Sequence, residues 1–436
     1  MPSEFSKALN GVKVKHCKNT SASESVRMPV PDRVVIPMIQ HMGAPCTPLV
    51  KVKDTVTVGQ RIGDSDAFMS SPIFSSVSGT VAEISDFVTS SGAKCKAVVI
   101  AADKEQTVCP DLQPPVVNSH ADLIKAVRDC GLVGLGGAGF PTHIKLNPKN
   151  LSEVKTLVVN GAECEPYLTC DLRLMLEQTD KLVKGIEIVK KYLELDEAII
   201  AIEDNKPEAI AKLTEATASM DGVSVKTLRS KYPQGAEKVI IFECTGKVVP
   251  EGKLPADVGV IVDNVATLTK IADYLETGMP LVEKLITVDG SAIAEPKNVI
   301  APLGASYKDI IAFCGGYKTE PRKIIMGGPM MGIVVTSDDA PLLKNNNGIL
   351  AFDEKDSVQE PETACIRCGR CMRACPFNLA PAQLDKAYRS GNVDKLRALK
   401  VNLCMECGCC AYVCPAKRDL VMSNRLGKQL LREQSN

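Results

Sequence analysis

The chain reads Cys365-Ile-Arg-Cys368-Gly-Arg-Cys371-Met-Arg-Ala-Cys375-Pro376 at residues 365–376 and Cys404-Met-Glu-Cys407-Gly-Cys-Cys410-Ala-Tyr-Val-Cys414-Pro415 at residues 404–415. Both blocks have the spacing C-x2-C-x2-C-x3-C-P, with which bacterial ferredoxins bind [4Fe–4S] clusters. The first three thiolates of a block hold one cluster from a tight turn, and the fourth cysteine reaches across to the other cluster. The spacing therefore predicts two clusters, one held by Cys365, Cys368, Cys371 and Cys414 and the other by Cys404, Cys407, Cys410 and Cys375.

Zinc ions or structural thiols are the alternatives for these cysteines. Zinc sites usually pair two C-x2-C knuckles, which would leave the third cysteine and the Cys-Pro ending of each block unexplained. Cys409 fits no ligand position and is interpreted as a bystander. The residues between the blocks have helical periodicity, so we predict an α-helical ferredoxin-type module over residues 355–436.

Cysteine and charge are both distributed unevenly along the 436 residues. Nine of the 18 cysteines lie between Cys365 and Cys414. Residues 365–436 carry 13 Lys and Arg against 5 Asp and Glu, which leaves 39 against 47 on the rest of the chain. The net charge of zero is therefore the sum of a basic C-terminal module and an acidic remainder of the chain. The basic surplus can offset the negative charge of thiolate-bound clusters, form a solvated face, or bind an acidic partner.

Composition and hydropathy exclude several classes of protein. With 45% hydrophobic and 24% charged residues, the chain matches globular proteins and not disordered ones. The longest apolar stretch, Ile324 to Val335, is interrupted by glycine and proline and is shorter than the ~20 residues of a membrane span. The first residues contain no apolar stretch, so we expect no cleaved export signal. We therefore expect a reducing compartment, in which the cysteines are metal ligands and free thiols.

A glycine-rich loop is the second candidate for a cofactor site. It follows a predicted helix at residues 119–129, in which Ser119 and Asp122 form a capping box, and it reads Gly131-Leu-Val-Gly134-Leu-Gly136-Gly137-Ala138-Gly139-Phe140-Pro141-Thr142-His143-Ile144-Lys145. The G-x-G-x-x-G match lacks the preceding strand of a dinucleotide fingerprint, and a Walker A loop would need Lys-Ser/Thr at Phe140-Pro141. Backbone N–H groups of such a loop can approach a phosphate or a planar ring, unless the loop is merely flexible.

This loop resembles the G-R-G-G-A-G-F-P-T-G-x-K loop that binds FMN in the flavin- and NADH-binding subunit of respiratory complex I, with Leu135 in place of the arginine. Two further stretches resemble that family: Asn160-Gly-Ala-Glu163-Cys-Glu165-Pro166, after a predicted strand at 156–159, and Val262-Asp263-Asn264-Val265-Ala266-Thr267. Tyr232-Pro233-Gln234-Gly235 stands where the family has G-E-E-T. The resemblance implies that Phe140 and Glu165 face a nicotinamide dinucleotide, and it implies FMN contacts for Gly134, Gly136, Gly137, Ala138, Gly139, Lys145, Asn160, Glu163, Asn264 and Thr267.

Two other regions resemble known domains. Residues 30–110 alternate apolar residues with glycine turns and are similar to biotinyl/lipoyl barrel-sandwich domains. No lysine lies between Arg61 and Ser78 to carry a swinging arm, so a structural or docking domain is favoured.

Residues 285–350 resemble the β-grasp domain that follows the flavin domain in the complex I subunit. The turn at residues 326–332 is interpreted as a structural turn beneath the ferredoxin-type module.

The order of these modules resembles the C subunit of Rnf electron-transport complexes along essentially the whole chain. The resemblance implies a multidomain α/β protein with an N-terminal extension and four domains. They are the extension (1–29), a β barrel-sandwich hybrid (30–110), a Rossmann-like FMN/NADH-binding domain (115–284), a β-grasp, soluble-ligand-binding domain (285–350) and the α-helical 2[4Fe–4S] ferredoxin-type domain (355–436).

The same resemblance predicts the function. It implies a peripheral subunit, on the cytoplasmic face of the cell membrane, of an ion-translocating ferredoxin:NAD oxidoreductase. Two [4Fe–4S] clusters, FMN and NAD(H) are the implied cofactors, and no side chain is expected to act as a catalytic acid or base. The implied partners are other Rnf-type subunits, including membrane-embedded ones, and indirectly ferredoxin, but no nucleic acid. The alternatives are a soluble flavin/iron–sulfur reductase for another acceptor, such as a cobalamin enzyme, and a non-catalytic electron-relay adaptor.

Overall fold

The computed structural model describes residues 9–90 and 92–434, so the predicted N-terminal extension is described from residue 9 onward. The extension is not separate from the domains that follow. Its strand β1 (Ser25–Arg27) pairs in parallel with residues 298–300 and forms one edge of the β-grasp sheet. This pairing covers backbone N–H and C=O groups that the edge of the sheet would otherwise expose.

The barrel-sandwich hybrid is built from seven short strands. Their bounds are β2 (Arg33–Pro37), β3 (Thr47–Pro48), β4 (Thr55–Val56), β5 (Arg61–Asp64), β6 (Ile73–Phe74), β7 (Gly79–Val88) and β8 (Lys94–Ala102). They form two antiparallel sheets, ordered β2-β8-β7-β4 and β3-β5-β6. Val34, Ile62 and Ile100 come from three strands and are completely buried in one core. The alternating apolar residues therefore fill the space between the sheets, as predicted.

The Rossmann-like domain alternates helices with parallel strands. Its elements are α1 (His120–Asp129), α2 (Thr142–Lys145), β9 (Thr156–Gly161), α3 (Cys170–Glu177), α4 (Thr179–Tyr192), β10 (Glu197–Glu203), α5 (Pro207–Ala216), β11 (Val223–Leu228), α6 (Glu237–Thr245), β12 (Val260–Asn264) and α7 (Val265–Thr277). The sheet order is β11-β10-β9-β12, and every pair is parallel. Ser119 caps α1 by accepting from the backbone N–H of Asp122, as the capping box predicts. Strand order therefore reverses between β9 and β12, where such sheets bind ligands.

The β-grasp region adds a mixed sheet and one helix. Its elements are β13 (Glu283–Asp289), β14 (Lys297–Pro302), α8 (Tyr307–Phe313), β15 (Lys323–Met326), β16 (Ile333–Val335) and β17 (Gly348–Phe352). The sheet order is β1-β14-β13-β17-β15-β16. Leu157 of β9 and Ile286 of β13 belong to the same buried cluster. The Rossmann-like and β-grasp domains therefore share one hydrophobic core.

The C-terminal module is all helical, which confirms the ferredoxin-type prediction. Its helices are α9 (Arg370–Ala374), α10 (Pro381–Arg389), α11 (Val393–Ala398), α12 (Cys409–Tyr412) and α13 (Leu420–Glu433). Leu384, Leu396 and Leu431 form its core. The buried carboxylate of Asp385 accepts hydrogen bonds from Arg389, Arg418 and Ser423, which ties α10 to α13. Within residues 9–90 and 92–434, no helix is long and apolar enough to cross a membrane.

Candidate flavin and iron–sulfur sites

The residues that resemble FMN ligands gather where the strand order of the Rossmann-like sheet reverses. Asn160 ends the hydrogen-bonded pairing of β9 with β12 and lies directly opposite Asn264. The Asn264 side chain caps α7 by accepting from Ala266 N at 2.8 Å, and it donates to the Asp171 carboxylate at 2.7 Å. An ideal Cβ on Gly136 would lie 3.2 Å from the Asn264 Cβ. Gly136, Asn160 and Asn264 therefore form one site at the carboxyl ends of two parallel strands.

The glycine-rich loop is anchored from several sides. Leu135 N donates to the Thr267 hydroxyl at 3.0 Å, and Leu135 O accepts from the buried ammonium of Lys284 at 2.7 Å. Met42 of the barrel-sandwich hybrid donates its backbone N–H to Gly139 O at 2.9 Å. The loop tip at residues 136–138 is nevertheless exposed, and apart from its chain neighbours no described residue lies within 4 Å of an ideal Cβ on Gly137, whose φ is +127°. The fixed base and bare tip let a ligand approach the backbone closely.

Buried hydrogen-bond acceptors without a partner among the described residues belong to Asp263, next to Asn264, and to Gln234, next to Gly235, whose carbonyl accepts from Asn160. Both carboxylate oxygens of Asp263 lack a partner among the described residues, as does Gln234 Oε1, and each side chain is 1% exposed. Burial raises the pKa of the Asp263 carboxyl to about 6, although Lys145 opposes the rise. Buried acceptors require donors. The hydroxyl groups of a ribityl chain are donors of that kind, so the site fits FMN.

Lys145 lies beside Asp263 on the outer side of β12. Its ammonium donates to Val262 O at 2.9 Å and to a Glu237 carboxylate oxygen at 3.2 Å. Burial opposes its charge, but Asp263 and Glu237 outweigh that cost and raise the pKa of Lys145. The Lys145 ammonium therefore lies beside the carboxyl groups of Asp263 and Glu237 at the edge of the site.

Replacing Lys145 with glutamate is expected to reduce bound FMN strongly. Charged hydrogen bonds contribute about 1.5–3 kcal/mol, so the loss corresponds to roughly 10- to 100-fold weaker binding, and the new carboxylate would also repel the phosphate. The measurement is the flavin-to-protein ratio after gel filtration. Lys125→Glu, on the exposed face of α1, makes the same charge change as a control. Equal flavin content in both variants would contradict the assignment of Lys145.

Glu163 caps a helix of the Rossmann-like domain. Its carboxylate accepts from Asp171 N at 2.7 Å and Leu172 N at 3.2 Å, at the start of α3. Burial, followed by the nearby Glu163 carboxylate, raises the pKa of Asp171 to about 7. Through Asp171, Glu163 is connected to Asn264. Asp171, which the sequence did not single out, thus connects Glu163 to the residues that are candidates for binding FMN.

Glu165 has partners that the resemblance to complex I does not imply. Its carboxylate accepts from Met330 N at 3.0 Å and Met331 N at 2.9 Å in the β-grasp turn, and from the Tyr232 hydroxyl at 3.4 Å. Phe140 belongs to the glycine-rich loop, where its backbone carbonyl accepts from Gly134 N at 2.8 Å. The carboxylate of Glu165 fixes the turn at residues 326–332.

Lys18 holds the loop that carries Glu163 and Glu165. Its ammonium donates to Glu163 O at 2.8 Å, to Glu165 O at 2.9 Å and also to Leu168 O. Burial lowers the pKa of Lys18, and the Glu163 carboxylate partly restores it. One cation from the N-terminal extension thus satisfies three backbone carbonyls beside the candidate flavin site.

The eight cysteines expected to bind clusters fall into the two predicted groups. One surface concavity is lined by Cys365, Cys368, Cys371 and Cys414, and a smaller one by Cys375, Cys404, Cys407 and Cys410 together with the bystander Cys409. Among the described residues, only Glu163, Cys170 and Asp171 bring three metal-ligating atoms within 4.8 Å of one another. Thiolates on one tetrahedral zinc, each about 2.3 Å from the ion, would lie that close. The wider cysteine groups fit a cluster of several irons better than a single ion.

The two cysteine groups differ in exposure. We call Cys375, Cys404, Cys407 and Cys410 the inner set, because all except the half-buried Cys404 are buried. We call Cys365, Cys368, Cys371 and Cys414 the outer set, in which Cys365 and Cys368 are exposed and the others half-buried.

The inner set packs against the Rossmann-like and β-grasp domains. Tyr232, Val12, Cys407 and Cys409 share one buried cluster, with Met330 at its border. Cys409 Sγ lies 3.7 Å from Tyr232 O, and an ideal Cβ on Gly408 would lie 2.9 Å from Met330 O. The turn at residues 326–332 therefore lies beneath the ferredoxin-type module, as predicted.

The folds and sites together define a flavin- and iron–sulfur-type electron-transfer protein. Four family models match in chain order: the RnfC barrel sandwich hybrid domain (residues 6–105), the Nuo51 FMN-binding domain (127–273), the SLBB domain (285–334) and the 4Fe-4S dicluster domain (363–418). The chain belongs to the family of C subunits of ion-translocating ferredoxin:NAD oxidoreductase (Rnf) complexes. FMN and two [4Fe–4S] clusters are the cofactors of its domains.

Two relatives illustrate this membership. The C subunit of the proton-translocating ferredoxin:NAD(+) oxidoreductase complex of Clostridium ljungdahlii is 45% identical over 379 residues, which cover 86% of this chain and 83% of the relative. The C subunit of the Na(+)-translocating complex of Acetobacterium woodii is 42% identical over 402 residues, which cover 92% and 91%. A chain of an NAD+-reducing [NiFe]-hydrogenase has a TM-score of 0.52 and 18% identity, covering 72% of this chain and 63% of its own, and this likeness shows the fold alone.

Proposed function

We propose that this chain passes electrons between NAD(H) and its partner subunits at the cytoplasmic face of the membrane. Bound FMN would supply the exchange between the two electrons of a hydride and the single electrons of iron–sulfur clusters. The membrane-embedded subunits would move the coupling ion, and ferredoxin would act through another subunit. The observation that supports this proposal is a continuous series of contacts between the candidate flavin site and the inner cysteine set.

This series of contacts begins at residues 160–165 and continues through Tyr232. Asn160 lies in the candidate flavin site, and five residues later Glu165 accepts a hydrogen bond from the Tyr232 hydroxyl. Tyr232 packs in turn against Cys407 of the inner set. A continuous series of bonded and packed protein atoms therefore connects the two candidate cofactor sites.

The residue assignments belong to the same proposal. The residues at the loop tip and at the ends of β9 and β12 would bind FMN, and each cysteine set would hold one cluster. We propose the domain divisions that the sequence predicts, although the N-terminal extension adds a strand to the β-grasp sheet and the Rossmann-like and β-grasp domains share one hydrophobic core. No side chain need act as an acid or base, because the protein positions cofactors and keeps water out.

The test is to add NADH anaerobically to the reconstituted chain. We expect the absorbance of both flavin and clusters to bleach, because hydride enters at the flavin and electrons continue to the clusters. The control is the same chain reconstituted with clusters but without FMN, in which NADH should leave the clusters oxidised. Bound FMN that does not bleach would contradict the NADH site.

One observation supports a second candidate function, a relay adaptor that does not bind NAD(H). The Glu165 carboxylate is already engaged by Met330 N and Met331 N, so one implied dinucleotide contact is occupied by the protein itself. The adaptor would relay single electrons between partners through its clusters. For such an adaptor, a one-electron donor would bleach the cluster absorbance, whereas NADH would not bleach the flavin.

A further inference from the structure

Asn424 is a polar side chain on the buried face of α13. The buried positions of this helix are Leu420, Ser423, Asn424, Gly427 and Leu431. Positions with this spacing face the core of a helical module and are mostly apolar. The Ser423 hydroxyl donates to the Asp385 carboxylate at 2.7 Å and so ties α13 to α10. Asn424 is 1% exposed and makes no such tie, so an amide at this position requires another explanation.

The Asn424 amide is bonded to a cysteine of the inner set. Its Nδ2 donates to Cys404 Sγ at 3.4 Å, which is its one hydrogen bond among the described residues, and its Oδ1 has no partner among them. Asn424 also lines the concavity that the four inner cysteines line. Burying an amide costs free energy unless its hydrogen bonds are made. The cysteine sulfur is therefore the group that accounts for an asparagine here.

The other donor to Cys404 Sγ belongs to the backbone. Glu406 N donates to this sulfur at 3.4 Å, a bond that any residue except proline could make. The Glu406 carboxylate is paired with Arg425 at 2.7 Å and with Lys428 at 2.8 Å, so its charge is balanced beside the site. Asn424 is thus the donor to Cys404 whose presence depends on the identity of a side chain.

We propose that Asn424 is a positioning residue that raises the reduction potential of the inner cluster by donating to Cys404 Sγ. This inference rests on the proposed function, because it assumes a cluster on the inner set that exchanges electrons with the flavin. One electron taken up from the flavin oxidises the flavin by one electron and adds one negative charge to the cluster and its thiolates. An N–H donor to a ligand sulfur stabilises that added charge, and such bonds are among the factors that set cluster potentials. The cluster nearer the candidate flavin site would therefore accept an electron more readily.

The test is a redox titration of Asn424→Ala and Asn424→Val, followed by electron paramagnetic resonance. Alanine removes the amide without overpacking, and valine leaves less room for a water that could replace the donor. Gln429→Ala and Gln429→Val, at an exposed position of the same helix, are the matched controls. We expect the equilibrium constant for reducing the inner cluster to fall about tenfold, which is about 59 mV for a one-electron couple. The potential of the outer cluster and both potentials of the Gln429 variants should stay unchanged.

Two further measurements assign the shift. The Cys404→Ala variant, which should lack the inner cluster, shows which of the two potentials belongs to that cluster. Resonance Raman spectra report the bond itself, because loss of an N–H donor strengthens the iron–sulfur bond to Cys404 and raises its stretching frequency. All four variants at positions 424 and 429 should retain about eight irons per chain.

The possible results separate this inference from the proposed function. Unchanged potentials and stretching frequencies at full iron content would overturn the inference. Loss of the inner cluster from both Asn424 variants would also overturn it, because the amide would then hold the cluster and not set its potential. If the potential shifts as expected but NADH does not bleach the flavin, the proposed function fails and the role of Asn424 stands. Failure of the unsubstituted chain to hold two clusters would overturn both.

Discussion

Replacing Cys404 with alanine is expected to remove the inner cluster and disconnect the flavin from the outer cluster. A chain with two [4Fe–4S] clusters contains about eight irons, so the variant should contain about four. Cys404 Sγ accepts from Glu406 N and Asn424 Nδ2, both at 3.4 Å, and such donors stabilise a thiolate ligand. Cys404 also has no adjacent cysteine that could replace it as a ligand. Iron and sulfide analysis, with the electron paramagnetic resonance of the reduced protein, measures the loss.

The control for this variant is Cys409→Ala, at the one cysteine of the module that the spacing of the two blocks leaves outside the predicted ligand sets, although it lines the same concavity as the inner set. Its thiol packs against Tyr232 O, so alanine should change packing but leave the iron content of two intact clusters, about eight per chain. In the Cys404 variant, NADH should still bleach the flavin while the remaining cluster stays oxidised. An iron content that is the same in both variants would contradict the inner ligand set. A loss confined to the Cys409 variant would show that Cys409 is itself a ligand.

The second large effect is expected from Lys18→Met. This change leaves the carbonyl groups of Glu163, Glu165 and Leu168 without their shared donor. Each unsatisfied buried carbonyl costs about 1–3 kcal/mol, so we expect the free energy of unfolding to fall by about 3 kcal/mol or more. In a domain of this size, that corresponds to a thermal transition lower by roughly 5–10 °C. Scanning calorimetry measures the shift, and hydrogen exchange of residues 160–168 locates it.

Lys15→Met is the matched control, because Lys15 lies on the same segment with an exposed side chain. Its substitution should change the transition by less than about 0.5 kcal/mol, as surface substitutions usually do. The Lys18 variant should also lose FMN more readily, since the loop it releases carries Glu163. Equal transitions and equal exchange rates in the two variants would show that the Lys18 contacts contribute little in solution.

Short-range features of this protein were predictable, because neighbouring residues decide them. The capping box at Ser119 predicted the start of α1, and the apolar run before Asn160 predicted β9. Both depend on interactions within a few residues of sequence. The spacing of each block also places its first three thiols in one turn, and these cysteines line one concavity in each block.

Contacts between distant segments were not predictable. Lys18 is 145 residues from Glu163, and Lys284 is 149 residues from Leu135, whose carbonyl it holds. A lone lysine in a sequence is most often on the surface, so nothing marked Lys284 as buried or Lys18 as half-buried. Asp263 offered a weak signal, since it adjoins Asn264 in a recognised motif, but only the fold shows that both of its oxygens are buried without partners among the described residues.

The sequence by itself determined which cofactors this protein can hold, because ligand spacing and glycine placement are local properties of the chain. It could not determine the order of the two clusters, since both blocks have the same spacing and either could face the flavin. That order depends on which block packs against Tyr232, Met330 and Val12, which lie far away in the sequence. Only the tertiary structure buries Cys407 and Cys410 on the side of the candidate flavin site and leaves the outer set at a basic surface. The order of the cofactor sites along the molecule therefore follows from packing, whereas the kind of cofactor at each site follows from the sequence.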